Sequence, residues 1–250
     1  MAPETELSNL HRADGSATYT HHGYSIIGAV NGPIEVPRRD ELPEEATIEV
    51  NVRPAAGVGS PKDRQLETLV HNTLRSIILT RSIPRTLVQI TLQIRSLPEE
   101  AASTGVNPSI AILPHLLHTS LLALLSASIP LSTILTSVLV AIPAAHTQPS
   151  TPLLSPTAND LVRAKSIKSV HVFAFSGDKK LLLNESDGVF SYEEWEEACE
   201  MAEEACCREK GGVGLAEGMD VDGQSRNLEE WLREVVKEKV AYEQRWKTAT

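Results

Sequence analysis

The sequence predicts an α+β fold in which helices pack on mixed sheets. Three observations carry that reading. Residues 46 to 54, ATIEVNVRP, set Ile48, Val50 and Val52 against Thr47, Glu49 and Asn51, the alternation of a half-buried strand. Residues 63 to 81 place Leu66, Val70, Leu74 and Ile77 on one stripe, flanked by Leu69 and Ile78, as in an amphipathic helix. The apolar run from 109 to 142 divides into a helix to 128 and a strand, STILTSVLVAI, buried on both sides. The order is strands, helix, strand, helix, strand, hairpin and long helix, with no exact internal repeat.

Each element follows from local chemistry. Residues 1 to 10 have no apolar core, so they are expected to be a tail and not a signal peptide. DGSATYTHHGYSIIGAVNGP, 14 to 33, reads as two strands about a His-His-Gly-Tyr turn, the second ending at Gly32-Pro33. Pro84 stops the first long helix, and TLVQITLQI from 86 to 94 is a strand. Residues 98 to 108 form a Ser, Thr and Gly-rich loop. The apolar segment 109 to 129 contains Pro114, His115 and His118, which favour a buried helix over a membrane span. A proline-rich connection, 143 to 157, leads to a hairpin turning at Ser176-Gly177-Asp178. Ser191 caps a helix whose seven glutamates, Glu193 to Glu204, form a solvated face, with Trp195, Ala198 and Met201 or Ala202 inside. Residues 211 to 225 are acidic, glycine-rich and expected to be disordered. An amphipathic helix closes the chain.

The formal net charge of -10 argues against a protein that coats nucleic acid through its overall charge, while leaving room for a local basic patch. Such a patch exists in sequence. Arg53, Lys62, Arg64, Arg75, Arg81, Arg85 and Arg95 face only Asp63 and Glu67, so this stretch carries +5. No aromatic interleaves these cations, so a stacking platform for bases is not indicated. The cysteines, Cys199, Cys206 and Cys207, fall in one helical stretch without ligand spacing, which implies a reducing compartment and no metal. His21 and His22 belong to a hairpin tip, and His115 and His118 to an apolar helix; all four read as satisfied turn or core histidines. No nucleophile in a strained turn accompanies them.

LHRADGSATYT followed by IIGAVNGPIEV resembles the opening of ribonuclease PH-like domains, in which a Gly-Ser-Ala strand runs into one ending in Gly-Pro. The similarity continues through ATIEVNVRP, the helix starting at Asp63-Arg64, Pro84-Arg85, LLSPT and GVFSYEEWEEA, covering about 10 to 205 and the last helix. It implies a fold of the ribosomal protein S5 domain 2-like type, with a first half at 11 to 142 and a second at 143 to 250. Within that family the chain is most similar to ring subunits of the eukaryotic RNA exosome.

Active members of the family hold inorganic phosphate with a Gly-Ser-Arg or Gly-Thr-Arg that opens a helix, and bind magnesium with two aspartates. Here RSLPEEAASTGVNP occupies the first place, with Glu99 and Glu100 and no such arginine. Asp160 could match the first aspartate, and the second falls near Lys165 or Ser166; Asp160 alone reads as an acid at a helix start. Active ring subunits carry paired arginines at the helix beginning KDRQL; Arg64 matches the first and Gln65 replaces the second. The resemblance therefore implies no catalytic residues, metal or cofactor, and RNA contact through Arg64, Lys62 and Arg95. It also implies a hetero-hexameric ring of homologous subunits with RNA-binding cap subunits, associated hydrolytic nucleases, no membrane, and residence in nucleus, nucleolus and cytoplasm. The competing expectations are an active phosphate-dependent 3′-to-5′ exoribonuclease and an RNA-end or DNA-processing enzyme acting outside a ring. No residue specifically favours the last.

Overall fold

A computed structural model describes residues 3–39, 41–144, 152–164, 166–207 and 227–248. The first sheet has the order β1 (Glu4–Leu7), β2 (Gly15–His21), β3 (Tyr24–Glu35), β5 (Thr86–Ser96), β4 (Thr47–Arg53). Every pair is antiparallel except β4 with β5. A parallel pair needs a crossover, and helix α1 (Pro61–Ile77) supplies it. Ser60 and Asp63 form a capping box at its start, behind Pro61 at the first helical position. Its stripe, Leu66, Val70, Leu74 and Ile77, is buried as the sequence predicts.

Helix α2 (Pro108–Ser126) runs between this sheet and a second one, packing on β2 and β3 and also on β6 (Leu135–Pro143). That explains a helix apolar on all sides: both faces meet a sheet, and residues Ile110 to Leu124 are buried. It is the one helix among the described residues long and apolar enough to cross a membrane, and it is the core helix. The approach is tight where β2 meets the end of α2. A Cβ on Gly15 would sit 2.2 Å from the Ala127 amide nitrogen and 2.5 Å from the Ala123 carbonyl oxygen.

The second sheet has the order β7 (Leu153–Leu154), β6, β8 (Ile167–Ser176), β9 (Leu181–Gly188). A short helix, α3 (Ala158–Arg163), connects β7 to β8. Helix α4 (Tyr192–Cys206) covers the sheet's other face, burying Ala198, Ala202 and Cys206 against Phe173 and Phe175. Ser191 caps it reciprocally with Glu194. Helix α5 (Leu228–Glu243) is tied back by Lys239, whose Nζ donates to the Ser126 Oγ at 2.8 Å, and α6 (Arg245–Thr248) follows.

Four expectations change. The first ten residues are not merely a tail, because Glu4–Leu7 pairs with β2. The second strand does not end at Gly32-Pro33; it continues to Glu35 across a register shift between Asn31 and Ile34 that absorbs the Gly-Pro step. The first long helix stops at Ile77, and Thr80–Ser82 forms a 3₁₀ turn instead. The loop from 98 to 108 contains a 3₁₀ turn at Glu99–Ser103. The acidic segment 211 to 225 lies outside the described residues.

Candidate nucleic-acid interface

The seven cations of the basic stretch divide into two groups at opposite ends of the first sheet. At the end where β4 begins, Arg75 and Arg81 pair with Glu45 (3.4 and 3.8 Å), and Arg85 pairs with Glu41 (3.5 Å). Glu41 and Glu45 precede β4 in sequence and lie before Arg53, where the basic stretch begins. Those three arginines meet carboxylates that precede β4, and their side chains stay 60–83% exposed.

Arg53, Lys62, Arg64 and Arg95 gather at the other end. The parallel register sets Arg53 beside Gln93, and Arg95 lies two residues farther along β5. Both belong to the polar face of the sheet, opposite the buried Val50, Val52, Ile90 and Leu92. Lys62 and Arg64 lie in the first turn of α1, on the layer beneath. The structure thus brings the three sequence candidates, Arg64, Lys62 and Arg95, to one rim of the sheet, on two layers and not in one cluster. All three are exposed.

Arg64 has a defined position. Its Nη1 donates to Glu67 Oε2 at 3.2 Å, and Glu67 Oε1 accepts from the Val52 amide at 3.0 Å. Glu67 therefore fixes Arg64 and also occupies an outward N–H of edge strand β4. The Arg64 side chain is 80% exposed, so this pair contributes at most about 1 kcal/mol and leaves most of the guanidinium open to a phosphate.

The place expected for a phosphate grip offers few amide donors. Helix α2 opens at Asn107-Pro108-Ser109. Pro108 has no N–H, the Ser109 amide donates to Asn107 Oδ1 at 3.2 Å, and the amides of Ile110 and Ala111 donate to the Asn107 carbonyl. Few donors remain for an anion at a helix start that in principle could bind one. Asp160 is also engaged: its Oδ2 accepts from the Thr157 amide (3.1 Å) and hydroxyl (2.7 Å) in the capping box of α3. Those two bonds hold its carboxyl below the usual carboxylate range. Among the described residues no three His, Cys, Asp or Glu side chains are placed to hold a metal ion.

Sequence reasoning missed one cluster. Tyr19, His21, His22, Tyr24, His115 and His118 surround a cavity of about 30 Å³ between α2, the β2–β3 hairpin and α3. The rings of Tyr24 and His115 stack at 4.6 Å, and those of His21 and His22 at 3.6 Å. His118 is satisfied as expected: its Nε2 accepts from the Ser137 amide at 3.0 Å, leaving Nδ1–H for the Tyr19 hydroxyl at 3.3 Å. His115 departs from the expectation, because its buried Nδ1 has no hydrogen-bond partner. Burial pushes the His118 imidazole down to about 3, and burial with the neighbouring histidines pushes His115 well below its ordinary value. The sequence signal was thin: helical spacing placed His115 and His118 on neighbouring positions, but the strand aromatics that meet them come from about a hundred residues away.

The family described as the 3′ exoribonuclease family, domain 1, matches residues 3–130. The chain is 31% identical to the exosome complex component RRP46 of Saccharomyces cerevisiae over 209 residues, 82% of this chain and 91% of that protein. It is 34% identical to the Schizosaccharomyces pombe exosome complex component rrp46 over 122 residues, about half of either chain. The solved structure of rice (Oryza sativa) Rrp46 superposes with a TM-score of 0.67 at 24% identity, covering 80% of this chain and 86% of that one. A chain of the Archaeoglobus fulgidus exosome with RNA bound to the active site gives a TM-score of 0.63 at 14% identity, covering 81% and 84%, a likeness of fold.

Proposed function

Since the chain belongs to the 3′ exoribonuclease, or ribonuclease PH, family, we propose that it is a non-catalytic ring subunit of an RNA exosome, supporting 3′-to-5′ processing and degradation of RNA, ribosomal RNA included. The observation that carries the non-catalytic part is the start of α2, where Pro108 and Asn107 leave no arginine and few free amides for phosphate. The likeness to RRP46 proteins over most of the chain supports the ring. On this reading it stands beside homologous subunits in a hetero-hexamer, with RNA-binding cap subunits on one face and hydrolytic nucleases receiving the RNA. It works in nucleus, nucleolus and cytoplasm. No metal or cofactor is required.

Two measurements test this. Light scattering after size exclusion is expected to give a particle several times the monomer mass only when the other ring subunits are mixed in; a chain that stays monomeric with all of them present contradicts the ring. The purified chain is expected to release no nucleoside diphosphates from RNA above a buffer control with phosphate and magnesium. Measurable phosphorolysis would restore the active-enzyme alternative.

RNA contact at the rim bearing Arg64, Lys62 and Arg95 is the finer part of the proposal. Arg64→Glu should weaken RNA protection by an assembled ring and lower the slope of log affinity against log salt by about one. Ring assembly should be unchanged. If assembly fails while RNA binding per assembled ring holds, Arg64 serves a subunit contact instead.

A further inference from the structure

We propose that the free edge of β9, with the aromatic group that flanks it, is a docking surface for an extended protein segment that is basic and carries an apolar side chain. Strand β9 is the outer strand of the second sheet and is paired on one side only, to β8. An unpaired edge offers backbone donors and acceptors to an incoming strand. Immediately after β9 the chain exposes three large apolar residues in four positions: Val189 at 77%, Phe190 at 40% and Tyr192 at 70%. They are held in place. Phe190 stands edge-on to His171 at 4.7 Å, and Tyr192 stacks on Trp195 at 6.1 Å. Rigid aromatics cost little entropy on binding, which makes them effective anchors.

Charge decides what the occupant is. Glu185 and Asp187 lie on β9, and Glu193, Glu196 and Glu197 are exposed on the first turns of α4. The lysines near this surface are engaged: Lys168 holds Glu194, and Lys179 holds Glu203 at 3.3 Å. Lys180 lies at the opposite end of β9, by the turn from β8. An acidic rim repels a nucleic-acid backbone, so RNA is disfavoured here, and it attracts lysines or arginines set around an apolar residue. The occupant is a segment other than a ring neighbour's sheet edge, so this surface and the ring can fail separately.

The test places a photo-crosslinking benzoylphenylalanine at Tyr192 in the full chain expressed in cells, followed by mass spectrometry of the crosslinked peptides. The expected product is a peptide from a polypeptide that is not a ribonuclease PH-like subunit, with Lys or Arg next to the crosslink and not only at its protease-cut end. Its yield should be about tenfold above that from the same label at Val58, an exposed loop position, as a binding advantage near 1.4 kcal/mol gives. The double variant Glu196→Lys, Glu197→Lys should lower that yield by roughly fivefold, with an unchanged melting temperature, because these exposed carboxylates lie beyond the first turn of α4 and supply charge complementarity. Crosslinks to a ribonuclease PH-like ring subunit, to RNA, to acidic segments or only within the same chain overturn the proposal. So do a yield no higher than at Val58 and full crosslinking by the charge-reversed chain.

Discussion

Replacing Gly15 by alanine is expected to lower the melting temperature by about 6–12 °C, from a loss of about 3 kcal/mol or more. The added methyl would enter the space of backbone atoms at the end of α2, the Ala127 nitrogen at 2.2 Å and the Ala123 carbonyl oxygen at 2.5 Å. No rotamer change relieves a clash with backbone, so either β2 or the helix end must move. Movement there spreads, because Ser16 and Lys239 both bond Ser126 at that same helix end. Gly59→Ala supplies the control. A Cβ there meets nothing within 4 Å, and its stability should stay within about 0.5 kcal/mol of wild type. Thermal or urea unfolding of the two variants side by side measures the contrast. Equal melting temperatures would mean that β2 and α2 do not pack this closely.

Acid should unfold the protein from the inside. His115 and His118 are neutral when buried, and both titrate below the ordinary imidazole value in the folded chain, His118 at about 3. In the unfolded chain both return to about 6.5 and bind protons more readily. Above that value neither state is protonated and stability does not depend on these groups. Below it the unfolded chain takes up protons the folded chain refuses, and each histidine removes about 1.4 kcal/mol per pH unit. For His118, stability at pH 5 should be about 2 kcal/mol lower than at pH 7.5, and His115 acts in the same direction. His115→Phe keeps a ring against Tyr24 and removes the unpartnered nitrogen, so it should make the slope shallower without loss at neutral pH. Urea midpoints at pH 5, 6 and 7.5 decide this; a midpoint that does not move would show that these histidines are hydrated and not buried.

The parts legible in sequence are those whose signal is local. Val50 and Val52 alternate with polar neighbours, Leu66 to Ile77 repeat with the helical period, and Ser191 precedes a helix in need of a cap, so each was readable from a few residues. The site was less legible because it depends on pairing. The seven-cation stretch reads as one strip, yet the fold returns Glu41 and Glu45 to three of its arginines and separates the other cations onto two layers. Strand β1 has no apolar pattern of its own and exists because β2 offers it an edge. The ring stack of Tyr24 on His115 joins positions that nothing in either neighbourhood connects.

Glu67 has one more effect, on how far strand addition could spread. A fibre grows only if each new unit presents a receptive edge after it has joined. The first sheet ends in β4, where Glu67 already takes the Val52 amide, and in β1, four residues long with Glu4 and Glu6. The second sheet ends in β7, two residues long, and in β9. Among the described strands β9 is the longest edge at eight residues, and β4, at seven, is interrupted at one amide. A unit whose second long edge is interrupted extends a stack poorly, so contact along β9 favours a finite complex over amyloid-like polymer.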